Sequence, residues 1–294
     1  MDTRYDYQDT DQDLALSVDD VVDDIDLGEP DEPLDEAAYR LWRKAVTFGT
    51  WNPADIDLSR DREQFLSLER PLQVYLEHFC GAFYNAEENV AKVFCPWVMS
   101  VSTTWQQAYL STQLMEEFKH TDFFARYFKE VLGIEKPTRA LSNPVHESLV
   151  DRAETLLTSY RSGSDDRTLH LVEAFTHYQG IIEGVQANAG YQIFLAVFAS
   201  KGMLPGLAEG FRSIQRDEGR HVGFGMQLLR HYAHQNPLYA ERIRAVYNEY
   251  LPLIQVRYGV PLTVNGEVFD PPAEERGRER LMKLYERRLK DIFS

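Results

Sequence analysis

The chain has 294 residues, 44% of them hydrophobic, enough for a sizeable core in one large domain or two small ones. Its net charge of −16 resides in residues 1–36, which hold fifteen acidic residues and one basic residue, Arg4; the near-neutral remainder carries no basic stripe for nucleic acid. The longest apolar run, "IFLAVFA" at 193–199, is too short for a membrane span, and the opening "MDTRYDYQDT" has no basic or apolar signal region, so a soluble, cytoplasmic protein is expected.

In chain order, residues 1–36 read as a solvated, disordered acidic arm closed by Pro30 and Pro33. A single domain over 37–294 follows, opening with the helical pattern "EAAYRLWRKAV". The stretch "WNPADIDLSRDREQF" is rich in turn and cap residues. Beyond it, apolar residues recur every three or four positions, which predicts helices near 63–100, 103–132, 145–161, 166–201, 206–234, 237–258 and 273–292. Pro71 and Pro96 should bound or kink the first of these. Gly180, Gly184 and Gly190 interrupt another, each at roughly 1 kcal/mol against alanine, so close packing or function should require them. "PLTVNGEVF" at 261–269 reads as a small hairpin because of its Asn-Gly. The two cysteines, Cys80 and Cys95, would be about 22 Å apart on one helix, too far for a disulfide. Segments this long suit a helical bundle.

Two sequence features carry chemistry. Glu117 precedes His120 by three residues, and Glu218 precedes His221 by three, so each pair shares a helix face. Chance alone yields about one Glu-x-x-His in such a chain. A di-metal carboxylate site also needs a lone glutamate from each of two other helices. Glu87 or Glu88 precedes the first pair by one helix, and Glu183 precedes the second. Glu183 lies among Ile181, Ile182, Gly184 and Val185, a poor place for a charge without a partner. Taken singly, these are ordinary surface glutamates and core histidines; as an ordered set of six they predict two metal ions. Four carboxylates balance two divalent cations. Oxygen ligands with one imidazole per metal suit iron or manganese, and dioxygen is the expected reactant.

With "TWNPADIDLSRDREQF", "AEENV", "EEFKHTDFF", "YQGIIEGVQANAGY" and "RDEGRHVGFG" in this order, the chain from about 46 to 258 resembles the ribonucleotide reductase small-subunit superfamily. Within it, the chain is most similar to the small-subunit-like ligand-binding oxidases. The resemblance implies an all-α, ferritin-like bundle with a dinuclear metal-carboxylate core. It implies metal ligands Glu87 (rather than Glu88), Glu117, His120, Glu183, Glu218 and His221, with Asp217 and Trp51 behind them. For the oxidase branch it further implies a Mn/Fe cofactor (Fe/Fe being the other option) and an ether cross-link between Val90 and Tyr178. It also implies a bound long-chain fatty acid and a homodimer. Val185, Phe194 and Phe198 are candidate channel residues, each equally readable as core.

Tyr178 and Glu183 are five residues apart and would not share a face of a regular helix, so a wide turn near Gly180 is expected. Radical-storing small subunits usually carry tyrosine four residues after the first histidine; here it is Phe124. The sequence "YERRLKDIFS" continues a helical pattern and shows no docking tail. A dioxygen-dependent oxidoreductase oxidising a C–H bond by two electrons is therefore the expected function. A reductase small subunit with a Mn/Fe cofactor is the alternative, followed by a soluble acyl desaturase or hydroxylase and a ferritin-like iron-binding protein.

Overall fold

The computed structural model describes residues 25–29, 31–135, 144–257, 262–264, 267–269 and 274–294. Helix α1 spans Leu34–Phe48, a short 3-10 turn Pro53–Asp55, α2 Ser59–Ser67, α3 Arg70–Val93, α4 Cys95–Ser100 and α5 Thr104–Tyr127. Then come α6 (Pro144–Ser162), α7 (Arg167–Phe175), α8 (Asn188–Val197), α9 (Pro205–Gln235) and α10 (Pro237–Arg257). A hairpin of β1 (Leu262–Val264) and β2 (Glu267–Phe269) precedes α11 (Glu274–Phe293). Between α7 and α8 the chain stays helical but in π geometry, from Thr176 to Ala187.

The fold is the expected helical bundle. The predicted 63–100 segment divides into three because Pro71 and Pro96 each start a new helix, at positions where a missing N–H costs nothing. The hairpin falls where Asn-Gly predicts it, with Leu262 opposite Phe269. The π segment supplies the widened turn expected around Gly180. The three interior glycines sit where a Cβ has no room: it would lie 2.7 Å from Tyr247 Oη at Gly180, 2.8 Å from Gln179 O at Gly184 and 2.7 Å from Phe83 Cζ at Gly190.

Residues 1–24 of the acidic arm lie outside the described residues. Its inner end does not follow the expected boundary at 36. α1 already begins at Leu34, and the Asp26 amide donates to Gly219 O at 3.1 Å on α9. Asp26 also pairs with Lys44 at 2.6 Å, and Arg40 pairs with both Asp26 and Glu32. Cationic α1 side chains thus draw these acidic residues onto the bundle.

Helix α5 packs along α3 and α9, and α9 along the π segment, so four helical rods meet at the centre. Two apolar clusters flank their junction. One contains Val90, Phe94, Trp97, Tyr178 and Val185; the other is aromatic, with Phe83, Phe124, Tyr191, Phe194 and Phe211. No helix among the described residues is long and apolar enough to cross a membrane.

Candidate metal centre

Between the two clusters lies a buried group of ionisable side chains. Glu87 comes from α3, Glu117 and His120 from α5, Glu183 from the π segment, and Glu218 and His221 from α9. None is more than 6% exposed. They form two sets: Glu87, Glu117, His120 and Glu218, and Glu117, Glu183, Glu218 and His221. In each set, one ligand atom per residue lies within 4.8 Å of the others. Glu117 and Glu218 belong to both, so either could serve both ions held here. Glu88, by contrast, points outward to Lys92 at 3.0 Å and Tyr84 at 3.1 Å.

Both imidazoles face the group with Nδ1. His120 Nδ1 is 3.4 Å from Glu87 and 3.6 Å from Glu218; His221 Nδ1 is 3.2 Å from Glu117 and 3.3 Å from Glu218. Each Nε2–H donates outward to a carboxylate, which fixes the tautomer and ring plane. For His120 the acceptor is Asp217, at 3.2 Å. For His221 it is Glu116, at 2.9 Å. Arg220 Nη2 reaches both acceptors, Glu116 at 2.6 Å and Asp217 at 2.7 Å. Trp51 Nε1 donates to Asp217 at 2.8 Å, and Lys119 pairs with Asp217 at 2.8 Å while lying over the Trp51 ring.

The sequence reading missed Glu116. Its signal was available: both motifs place an acid immediately before the glutamate, "EEFKH" and "DEGRH". On α5 that acid faces His221, not the histidine of its own motif.

Without cations the group opposes itself. Burial, reinforced by the charges of Glu117 and Glu218, pushes the Glu87 carboxyl up to about 8. Burial and the Glu218 charge push Glu183 well above the carboxylate range. Against burial, the adjacent His221 and His120 rings hold Glu117 down to about 2. Buried oxygens of Glu183 and Glu218 and the Nδ1 of His221 have no hydrogen-bond partner. Unsatisfied oxygen and nitrogen acceptors converging in a dry site are what hard divalent cations neutralise, and this donor set fits iron or manganese.

The ribonucleotide reductase small-chain family model matches residues 33–253. The chain belongs to that family. Among solved structures it is similar to a glycine-to-leucine variant of an R2-like ligand-binding oxidase with anaerobically reconstituted Mn/Fe cofactor. The two share 24% identity, over 89% of this chain and 94% of that one, with a TM-score of 0.74. A tyrosine-to-phenylalanine variant with aerobically reconstituted Mn/Fe cofactor matches at 23%, over 87% and 93%, with 0.73. A glycine-to-leucine variant with a non-activated Mn/Mn cofactor matches at 24%, over 89% and 93%, with 0.74. At this identity the likeness is one of fold.

In this small-chain member, the Tyr178 hydroxyl donates to Glu117 at 2.8 Å. Gln113 Nε2 donates to Glu183 at 3.0 Å and to Tyr178 at 3.3 Å, so the π segment does bring Tyr178 and Glu183 to one side. Val90 is buried in the same apolar cluster as Tyr178. Phe124 carries no hydroxyl and stacks with Phe83 at 5.7 Å in the aromatic cluster. Of the three candidate channel residues, two pack together and the third packs apart from them. Phe194 and Phe198 are neighbours at 5.2 Å in the aromatic cluster, whereas Val185, turned by the π geometry, packs in the other cluster.

Proposed function

We propose that this protein is a dioxygen-activating dinuclear oxidase holding Mn/Fe, with Fe/Fe as the other possible pair, and that it oxidises a C–H bond by two electrons in the cytoplasm. The observation that carries this reading is the doubled ligand set sharing Glu117 and Glu218, with a phenol donating to the shared Glu117. When bound, the two metals supply two electrons and a place for dioxygen to be reduced. Glu87 and His120 would hold one ion, Glu183 and His221 the other. Asp217, Glu116 and Arg220 keep the imidazoles oriented, and the surrounding aromatic and aliphatic clusters exclude water.

The proposed oxidation falls on the protein itself, at Val90 and Tyr178, which share a buried cluster. An ether between Val90 and Tyr178 removes one hydrogen from a Val90 C–H and one from the Tyr178 O–H. Those two hydrogens supply two electrons and two protons; the two electrons the bound metals would add, with two protons from solvent, would balance reduction of one dioxygen to two waters. Glu117 already accepts the Tyr178 hydrogen bond and is placed to take its proton. Peptide mass spectrometry after aerobic loading should show the Val90 and Tyr178 peptides joined with loss of two hydrogens. Separate, unmodified peptides at full metal occupancy would exclude the cross-link.

A long-chain fatty acid is the proposed ligand, its carboxylate toward the metals. Tyr191, whose hydroxyl is 3.4 Å from Glu87, joins the site to an aromatic cluster that includes Phe194 and Phe198. Solvent extraction of purified protein should release it at near one equivalent per chain. The reductase reading within the same family predicts nucleotide reduction on adding a large subunit; Phe124 removes its tyrosyl-radical form and leaves its Mn/Fe form to that test.

A homodimer is also proposed. Helices α1 and α5, which pack on each other, expose Tyr39, Val46, Phe48, Trp105, Met115 and Phe118, and Tyr39 meets Trp105 at 4.5 Å. Placing glutamate at both Met115 and Phe118 should shift the light-scattering mass from two chains to one. An unchanged mass would locate the interface elsewhere.

A further inference from the structure

The π segment returns to α geometry at Asn188. Amides in a π turn reach back five residues and those in an α turn four, so the seam passes over one carbonyl. Here the Asn188 amide reaches the carbonyls of Glu183 and Val185. The one between them, Gly184 O, accepts from Arg288 Nε on α11 at 3.1 Å.

Arg288 is fully buried. It also pairs with Asp291 at 2.8 Å, and the Asp291 carbonyl accepts from Arg230 of α9 at 2.6 Å and 2.9 Å. The approach is tight, since a Cβ on Gly184 would lie 3.2 Å from Arg288 Cδ. A dry guanidinium is expensive to keep, and here it meets the open carbonyl directly after Glu183. Helix α11 lies beyond residue 253, where the family match ends, yet it reaches this seam.

We propose that Arg288 is a positioning residue for the metal centre: by occupying the carbonyl skipped at the seam, it holds Glu183 in the register that faces Tyr178 and His221. This rests on Glu183 being a metal ligand. In a regular α-helix the five residues from Tyr178 to Glu183 turn about 140° beyond one revolution, which carries the carboxylate off the Tyr178 face. Arg288 therefore acts on one metal position, through Glu183, and leaves the Glu87–His120 position alone.

The test uses the full chain loaded anaerobically with Mn(II), read by titration and by electron paramagnetic resonance. The wild type should bind two ions and give an exchange-coupled spectrum. Arg288→Met should bind one ion as before and the second about 10- to 100-fold more weakly, with an uncoupled six-line signal at limiting metal. Arg288→Lys, which can still donate to Gly184 O, should recover part of the loss. Arg288→Leu, a second apolar replacement of different shape, should reproduce Arg288→Met and decides the matter if that variant does not fold. Two ions bound with wild-type affinity in a folded Arg288→Met or Arg288→Leu protein would overturn the proposal, as would equal weakening at both positions. A wild type that binds fewer than two ions would instead overturn the dinuclear reading beneath it.

Discussion

Replacing Glu117 with alanine is expected to empty both metal positions at once. Its carboxylate belongs to both ligand sets, so its loss takes an oxygen from each. The affinity of both positions should fall by more than about 100-fold, beyond what outer carboxylates such as Glu116 govern. Glu183→Ala is the matched comparison, because Glu183 belongs to one set only. That variant should keep the Glu87–His120 ion. Elemental analysis of both proteins after loading separates the outcomes. Two metals retained in Glu117→Ala would remove it from the ligand set, and two retained in Glu183→Ala would do the same for Glu183.

The largest effect on stability is expected far from the metals, at Asp61. This carboxylate on α2 is wholly buried. It accepts from the amides of Gly206 at 2.7 Å and Leu207 at 2.8 Å at the start of α9, and from the Tyr127 hydroxyl at 3.2 Å. The preceding Leu204 sits at φ 51°, in the left-handed region, with its amide bound to Gln64 at 2.6 Å. Asp61→Ala would orphan three buried donors, each costing about 1–3 kcal/mol, and would release a strained turn. A loss of about 3 kcal/mol or more should appear in urea unfolding. A loss below about 1 kcal/mol would mean that Asp61 is not what ties α2 to α9.

These residues also show what a sequence can reveal. The bundle was legible because apolar periodicity and proline punctuation are local signals. Five of the candidate ligands were legible because i to i+3 spacing marks a helix face and Glu183 lies one helix before its pair; the choice of Glu87 over Glu88 came from the resemblance. The role of Asp61 was not: "RDREQF" gives no hint that one of its acids caps a helix more than a hundred residues later. Glu116 was half legible, since its presence repeats the Asp217 pattern but its direction depends on how α5 and α9 cross. The π geometry was visible only as a mismatch, Tyr178 and Glu183 being one residue too far apart for a regular face. The partition of Val185 from Phe194 and Phe198 follows from that geometry and could not be read before it.

The carboxylates behind the histidines have a mechanical consequence. Each of α5 and α9 lends its partner the acid that steadies the partner's imidazole: Asp217 of α9 for His120, Glu116 of α5 for His221. The helices are therefore interlocked at two points, with Arg220 as the pin between them. Neither can roll about its axis without releasing both rings. A cation settling on either histidine therefore also steadies the crossing that orients the other ring.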